Sequence, residues 1–198
     1  MAQRVGADVC ATHRCRCGKN VDPKGLHGLS CRLSAGRFPR HAAINDVVKK
    51  GLQQAGVPST LEPVGVHRGD GKPPDGMTLF PYARGKSLVW DATVVDTYAA
   101  CNLVPSAIEP GAAAQAAEIR KRVKYQALSD RFLFEPLAFE TTGTCSASTR
   151  KLVKEIGQRI ITETGDLRET DWLWQRLSLA IMRGNTTSVI ATARDYNE

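Results

Sequence analysis

Pro74-Asp75-Gly76-Met77-Thr78, then a break at Arg84-Gly85, then Ser87-Leu88-Val89-Trp90-Asp91-Ala92-Thr93-Val94-Val95, reads as a β-hairpin. The arms, residues 77–82 and 87–95, are apolar and β-branched, and Arg84-Gly85 is a turn pair between them. In this pairing Asp75 falls roughly opposite residues 92–94. Successive side chains of a strand point to opposite faces, so Asp91, Thr93 and Val95 share one side, and Trp90, Ala92 and Val94 the other. Asp75, at the entry to the first arm, can therefore share a face with Asp91.

The flanking sequence supplies the rest of a layered fold. Residues 112–130 are rich in Ala, Glu, Lys and Arg, strong helix formers. Residues 132–141 read as a buried strand that returns after this helix, as in a βαβ unit. Helices are expected at 148–163 and 170–183, with Leu152, Ile156 and Ile160, then Leu173, Leu177 and Ile181, on their core faces. Upstream, residues 40–55 form a helix with Ile44, Val48 and Leu52 on one face and Gly56 as its stop. A strand at 60–66, a polar loop at 67–74 and a plain connection at 101–110 complete the expectation. The predicted class is α/β, an α+β arrangement with a mixed sheet, over residues 37–198. Residues 1–36 are expected to be separate: a flexible lead-in followed by a small cysteine-rich unit.

Charge narrows the possible partners. The 198 residues carry 27 Lys and Arg against 20 Asp and Glu, a net charge of +7. The excess is concentrated between residues 14 and 50, where Arg14, Arg16, Lys19, Lys24, Arg32, Arg37, Arg40, Lys49 and Lys50 face only Asp22 and Asp46. Such clustering is the footprint of a phosphate-backbone binder, whether of DNA or of RNA. There is no apolar run long enough for a membrane span, and residues 1–10 lack a signal core, so an intracellular protein, nuclear or cytoplasmic, is expected.

Four of the six cysteines lie within residues 10–31, a density that points to a metal more than to disulfides in a chain without a secretory signal. Cys15, Cys17, His27 and Cys31 make three thiolates and an imidazole, the donor set of a closed, structural, tetrahedral Zn²⁺ site. Cys10 and His13 are alternatives for one ligand, Cys15 being the member most open to replacement; Cys101 and Cys145 are isolated thiols.

Asp75 and Asp91, if brought together, offer the oxygen ligands that Mg²⁺ or Mn²⁺ prefers. A lysine from the following helix, Lys121 or Lys124, would offset charge on a phosphate. Glu62 and Glu140 are further possible ligands. In this order the residues resemble the PD-(D/E)xK nuclease superfamily, although Thr93 stands where that pattern usually has its lysine. The resemblance is sharper to the restriction-like endonuclease domain of site-specific non-LTR retrotransposons. It rests on Cys15, Cys17, His27 and Cys31, on Arg40-His41 with Asn45, on Glu62-Pro63, Lys72 and Pro74-Asp75, on Asp91-Ala92-Thr93-Val94-Val95, and on Arg120-Lys121-Arg122-Val123-Lys124-Tyr125. It covers about residues 15–139. Two features depart from the family pattern: an extra residue before Asp75 and a longer gap to Asp91.

The resemblance implies a restriction-endonuclease-like core and a Mg²⁺- or Mn²⁺-dependent enzyme that nicks DNA. Asp75 and Asp91 would be metal ligands, Lys121 the displaced lysine, and Tyr125 a neighbour one turn along the helix. Arg37, Arg40, His41, Lys49, Lys50, Arg120 and Arg122 are the expected nucleic-acid contacts. Such nucleases accompany a reverse transcriptase; no Tyr-x-Asp-Asp sequence occurs here, so a polymerase domain is expected to be missing from this chain. The alternative is a zinc-containing nucleic-acid-binding module of the same fold without activity.

Overall fold

The central strand, β5 (Leu88–Val95), is covered on both faces, and this organises the molecule. Leu88, Trp90 and Ala92 enter the main core, whereas Val89 and Val95 enter two smaller clusters on the opposite side. The structure is a computed structural model that describes residues 2–67 and 71–193. Among these residues are six α-helices, a two-stranded antiparallel sheet of β1 (His13–Arg14) and β2 (Asn20–Val21), and a four-stranded mixed sheet. The larger sheet has the order β3 (Ser59–Leu61), β4 (Gly76–Thr78), β5, β6 (Leu133–Glu140).

The first three of these strands are antiparallel, and β6 runs parallel to β5 in continuous register from Leu88↔Leu133 to Val95↔Glu140. A parallel pair needs a crossover, provided here by α3 (Ala100–Ile108) and α4 (Ala112–Lys124). Ala114 and Ala117 lie on Ala138 and Val95, small side chains that let α4 approach the sheet closely. On the other face α2 (Arg37–Gln54), α5 (Ala147–Thr164) and α6 (Glu169–Ile190) bury Ile44, Val48, Leu52, Ile156, Leu173 and Leu177. Ser146 caps α5 by accepting from the Thr149 amide, and Gly165 ends it at φ 77. Among the described residues no helix is long and apolar enough to cross a membrane.

Several expected boundaries shift, each for a local reason. The strand expected at 60–66 stops at Leu61 because Glu62 turns at φ 47 and Pro63 has no amide hydrogen to continue the ladder. The first hairpin arm shrinks to Gly76–Thr78, while Arg84 (φ 51) and Gly85 (φ 69) form the expected turn, with the Lys86 carbonyl accepting from Tyr82. Residues 101–110 are largely helical, not a plain connection, although α3 buries none of its residues. The helix expected over 112–130 ends at Lys124 and gives way to a 3₁₀ turn at Gln126–Leu128. The last helix runs on to Ile190, and that extension supports the cysteine-rich unit.

That unit, with α1 (Leu26–Ser30), rests on the end of α6: Ser34 Oγ donates to the Ser188 carbonyl at 3.0 Å, and a methyl group at Gly36 would meet Ser188 N at 2.3 Å. The lead-in is not loose over Ala2–Val5, which form a 3₁₀ turn with Arg4 donating to Ser178 Oγ at 3.0 Å.

Register decides where the acids fall. Gly76 pairs with Trp90, so Asp75 arrives opposite Asp91, one position short of the expected span. Gly76 is required there, because an added Cβ would lie 2.0 Å from Trp90 Cζ2. Trp90 is fully buried and cannot yield, so Gly76→Ala is expected to cost about 1–3 kcal/mol of stability, read as a lower urea midpoint.

Candidate active site and metal centre

Where β4 begins, β5 runs past it and the Ala92 amide has lost its strand partner. Asp75 takes that place: its Oδ2 accepts from Ala92 N at 2.6 Å and from His41 Nε2 at 2.9 Å. His41 Nδ1 lies 3.4 Å from Asn45 Nδ2, one helical turn away, and Asn45 Oδ1 accepts from the indole of Trp90 at 3.1 Å. A chain of polar contacts thus runs from the core tryptophan through α2 to the carboxylate. Trp90 holds both Gly76 and Asn45, which flank Asp75 in space.

Asp91 projects from the opposite face of β5, between Val89 and Val95, under the crossing helix α4. Its Oδ2 is paired with Lys121 Nζ, and Tyr125 hydrogen-bonds the same carboxylate from one turn further on. Tyr125 is itself buried and stacked on Phe134, with ring centroids 4.3 Å apart, so its hydroxyl is rigidly aimed. Asp91's side chain is 6% exposed and that of Asp75 16%.

The two acids have opposite electrostatic character. Burial raises the pKa of Asp91, the charge of Asp75 raises it further, and Lys121 and Tyr125 only partly offset them. Burial also works against an ionised Asp75, but the hydrogen bond and charge of His41, with Ala92 N and Asn45, outweigh it and hold the carboxyl below the usual range. His41 rises above the ordinary imidazole value, chiefly through its hydrogen bond to Asp75, against the effect of burial. The two acids thus differ in their affinity for a proton, and the charge of Asp75 adds to the burial that disfavours an ionised Asp91.

Other expected site residues fall in different places. Lys121 reaches Asp91, whereas Lys124 is exposed. Glu62 lies alongside Asp75 through its backbone, donating to the Asp75 carbonyl at 3.0 Å, with its side chain exposed. Glu140 is not beside the pair: in the parallel ladder it stands at Val95, four residues beyond Asp91. Its Oε1 accepts from Ala113 N at 3.1 Å and Ser106 Oγ at 3.3 Å, and its Oε2 from Thr97 Oγ1 at 3.1 Å, so it caps the start of α4. Glu140→Ala would strand these buried donors and is expected to cost about 2–3 kcal/mol, with Glu140→Gln costing less, by chemical denaturation.

The basic residues also divide. Arg40 is buried, donating to Asn185 Oδ1 at 2.7 Å and the Leu29 carbonyl at 3.4 Å; it ties α2 to α6 and α1, a core role where an exposed DNA contact was expected. Arg122 is held by Glu118 at 3.0 Å and Glu135 at 2.9 Å, and Lys50 by Asp46 at 2.8 Å. Arg37 and Arg120 are exposed and Lys49 is half-buried. The part played by Trp90 escaped sequence reasoning, although the spacing of His41 and Asn45 on one helical face was its visible half.

The cysteine cluster forms as expected. The ligand atoms of Cys15, Cys17, His27 and Cys31 all lie within 4.8 Å of one another. Cys15 and Cys31 sulfurs are 3.8 Å apart, and Cys17 Sγ is 3.1 Å from His27 Nε2. Bonds of about 2.3 Å in a tetrahedron put two sulfurs about 3.8 Å apart, so the donors fit a metal such as zinc. The β1–β2 hairpin presents Cys15 and Cys17, and α1 presents His27. The backbone of Lys19 hydrogen-bonds Cys17 and lowers its thiol pKa, favouring the thiolate that binds metal. Cys10 and His13 are engaged elsewhere: Cys10 with the Asp22 carbonyl at 3.4 Å, His13 with Thr192 Oγ1 at 2.9 Å.

No protein-family model matches the chain, and no curated protein is significantly similar to it.

Proposed function

We propose that the protein is a metal-dependent endodeoxyribonuclease with a restriction-endonuclease-like core and a structural zinc knuckle, of the kind carried by non-LTR retrotransposons. The observation that carries the proposal is that the register brings Asp75 opposite Asp91, near enough for its charge to raise the Asp91 pKa, while Lys121 of the crossover helix pairs with Asp91. The excess of basic residues between 14 and 50 adds a phosphate-binding character.

Asp75 and Asp91 would hold a Mg²⁺ or Mn²⁺ ion. When bound, such an ion supplies Lewis acidity toward the phosphodiester and acidifies a coordinated water. The protein's own contribution is positional. The Trp90–Asn45–His41 chain and the Ala92 amide fix Asp75; Tyr125 and Lys121 fix Asp91. Lys121, half-buried at the edge of the pair, places a positive charge where negative charge builds on the phosphate. The knuckle, with Zn²⁺ as its proposed occupant, braces α6 and shapes the basic surface.

A second reading, a nucleic-acid-binding module of the same fold that does not cut, is favoured by Thr93 at the usual lysine position and by the neutralising contacts of Lys121 and His41 on the two acids. Incubating supercoiled plasmid with the protein in Mg²⁺, Mn²⁺ or EDTA, beside a gel shift, separates the two. Metal-dependent conversion to open circles supports the nuclease; retarded plasmid that stays supercoiled with either metal supports the module.

A further inference from the structure

Phe38 is 84% exposed, the second residue of α2, and contributes nothing to the core. Beside basic side chains, an exposed aromatic ring offers a face on which a nucleobase can stack. It lines a cleft of about 330 Å³ with Arg32, Arg37, Arg40, His41 and Thr93. Arg32 and Arg37 are exposed, and Arg40 is buried with its Nε–H unpartnered. His41 belongs both to this wall and to the carboxylate pair, through its bond to Asp75. The cleft therefore adjoins Asp75 of the proposed site through His41.

We infer that this cleft receives an unpaired nucleobase of the DNA strand, its face stacked on Phe38 and its flanking phosphates drawn to Arg32 and Arg37. The inference rests on the nucleic-acid reading of the site and adds the state of the substrate: a nucleotide released from its stack. A base within a duplex has both faces covered by its neighbours, whereas an unpaired one offers a face to an aromatic ring. Stacking is indifferent to base identity, so the cleft would select for strand state and not for sequence.

Anisotropy titrations of the full chain and of Phe38→Ala, at low salt, use a labelled single-stranded oligonucleotide and a blunt duplex of equal length. Loss of one stacked base is expected to weaken single-strand binding about 5- to 150-fold and to change duplex binding less than about twofold. Phe38→Trp should bind the single strand as wild type does, and its added emission should be quenched by the oligonucleotide. Absence of single-strand binding in wild type, equal binding by Phe38→Ala, or equal loss on both probes would overturn the inference. The plasmid assay reports separately on the nuclease: selective single-strand loss in a protein that never nicks keeps the cleft and removes the enzyme. Nicking with Phe38-independent binding does the reverse.

Discussion

Asp91→Asn is expected to lower metal-dependent nicking by about 10³-fold or more while leaving plasmid retention on a gel within about threefold of wild type. A metal ion stabilises charge in a phosphoryl transition state by several kcal/mol, each 1.4 kcal/mol a factor of ten in rate, and this variant removes one of the two carboxylates proposed to hold it. Stability sharpens the test. Asp91 is held in a buried place that disfavours its charge, so a neutral isostere removes an unfavourable burial as well as the contact with Lys121. Its stability should stay close to wild type. Asp75 is the opposite case: its ionised form is favoured by His41 and the Ala92 amide, so Asp75→Asn should lose about 1–3 kcal/mol as well as activity. In terms of pH, the Asp75 contribution is present above the ordinary aspartate value and is lost as pH falls through its lowered one. Full nicking by Asp91→Asn would refute the assignment of the site.

The second large effect is expected from denying the Cys15, Cys17, His27 and Cys31 cluster the zinc proposed to occupy it. Elemental analysis should find one zinc per chain, and Cys31→Ser or exhaustive chelation should abolish it. Structural zinc contributes on the order of 10 kcal/mol to the folding of small knuckles, and the cluster has few apolar partners besides Val21. Loss of the ion should therefore expose residues 13–31 to protease and loosen the end of α6 and the turn after it, which meet the cysteine-rich unit at Ser188 and Thr192. The main core, built from α2, α5, α6 and the sheet, does not include the knuckle, so most far-UV helical signal should persist. Unchanged zinc content and protease resistance in Cys31→Ser would contradict the ligand set.

What was legible in the sequence follows from periodicity. The alternation of β5 separated Trp90 from Asp91 correctly, because a strand covered on both faces still obeys the period of two. The βαβ crossover and the α2, α5 and α6 core faces were equally readable. The Cys-Cys-His-Cys cluster was visible because its spacing is local. Less legible was whatever long-range packing decides. Glu140 resembles a spare ligand until α4 is seen to begin above it. Arg40 sits among surface-like basic residues, yet Gly184 of α6 leaves room for its stem, an added Cβ there meeting Arg40 Cβ at 2.3 Å. The α3 helix carries Pro105 and buries nothing, so no apolar face announced it. The pairing of Asp91 with Lys121 and the placement of Asp75 opposite Asp91 could be anticipated from their order, but not the Trp90–Asn45–His41 support, which joins a strand to a helix 45 residues away.

Electron paramagnetic resonance of Mn²⁺ titrated into the zinc-loaded protein tests the central claim without depending on any DNA target. Wild type should take up one Mn²⁺ at a site that both Asp75→Asn and Asp91→Asn eliminate, while Lys124→Ala leaves it unchanged. Equal Mn²⁺ uptake by wild type and both aspartate variants would contradict the account.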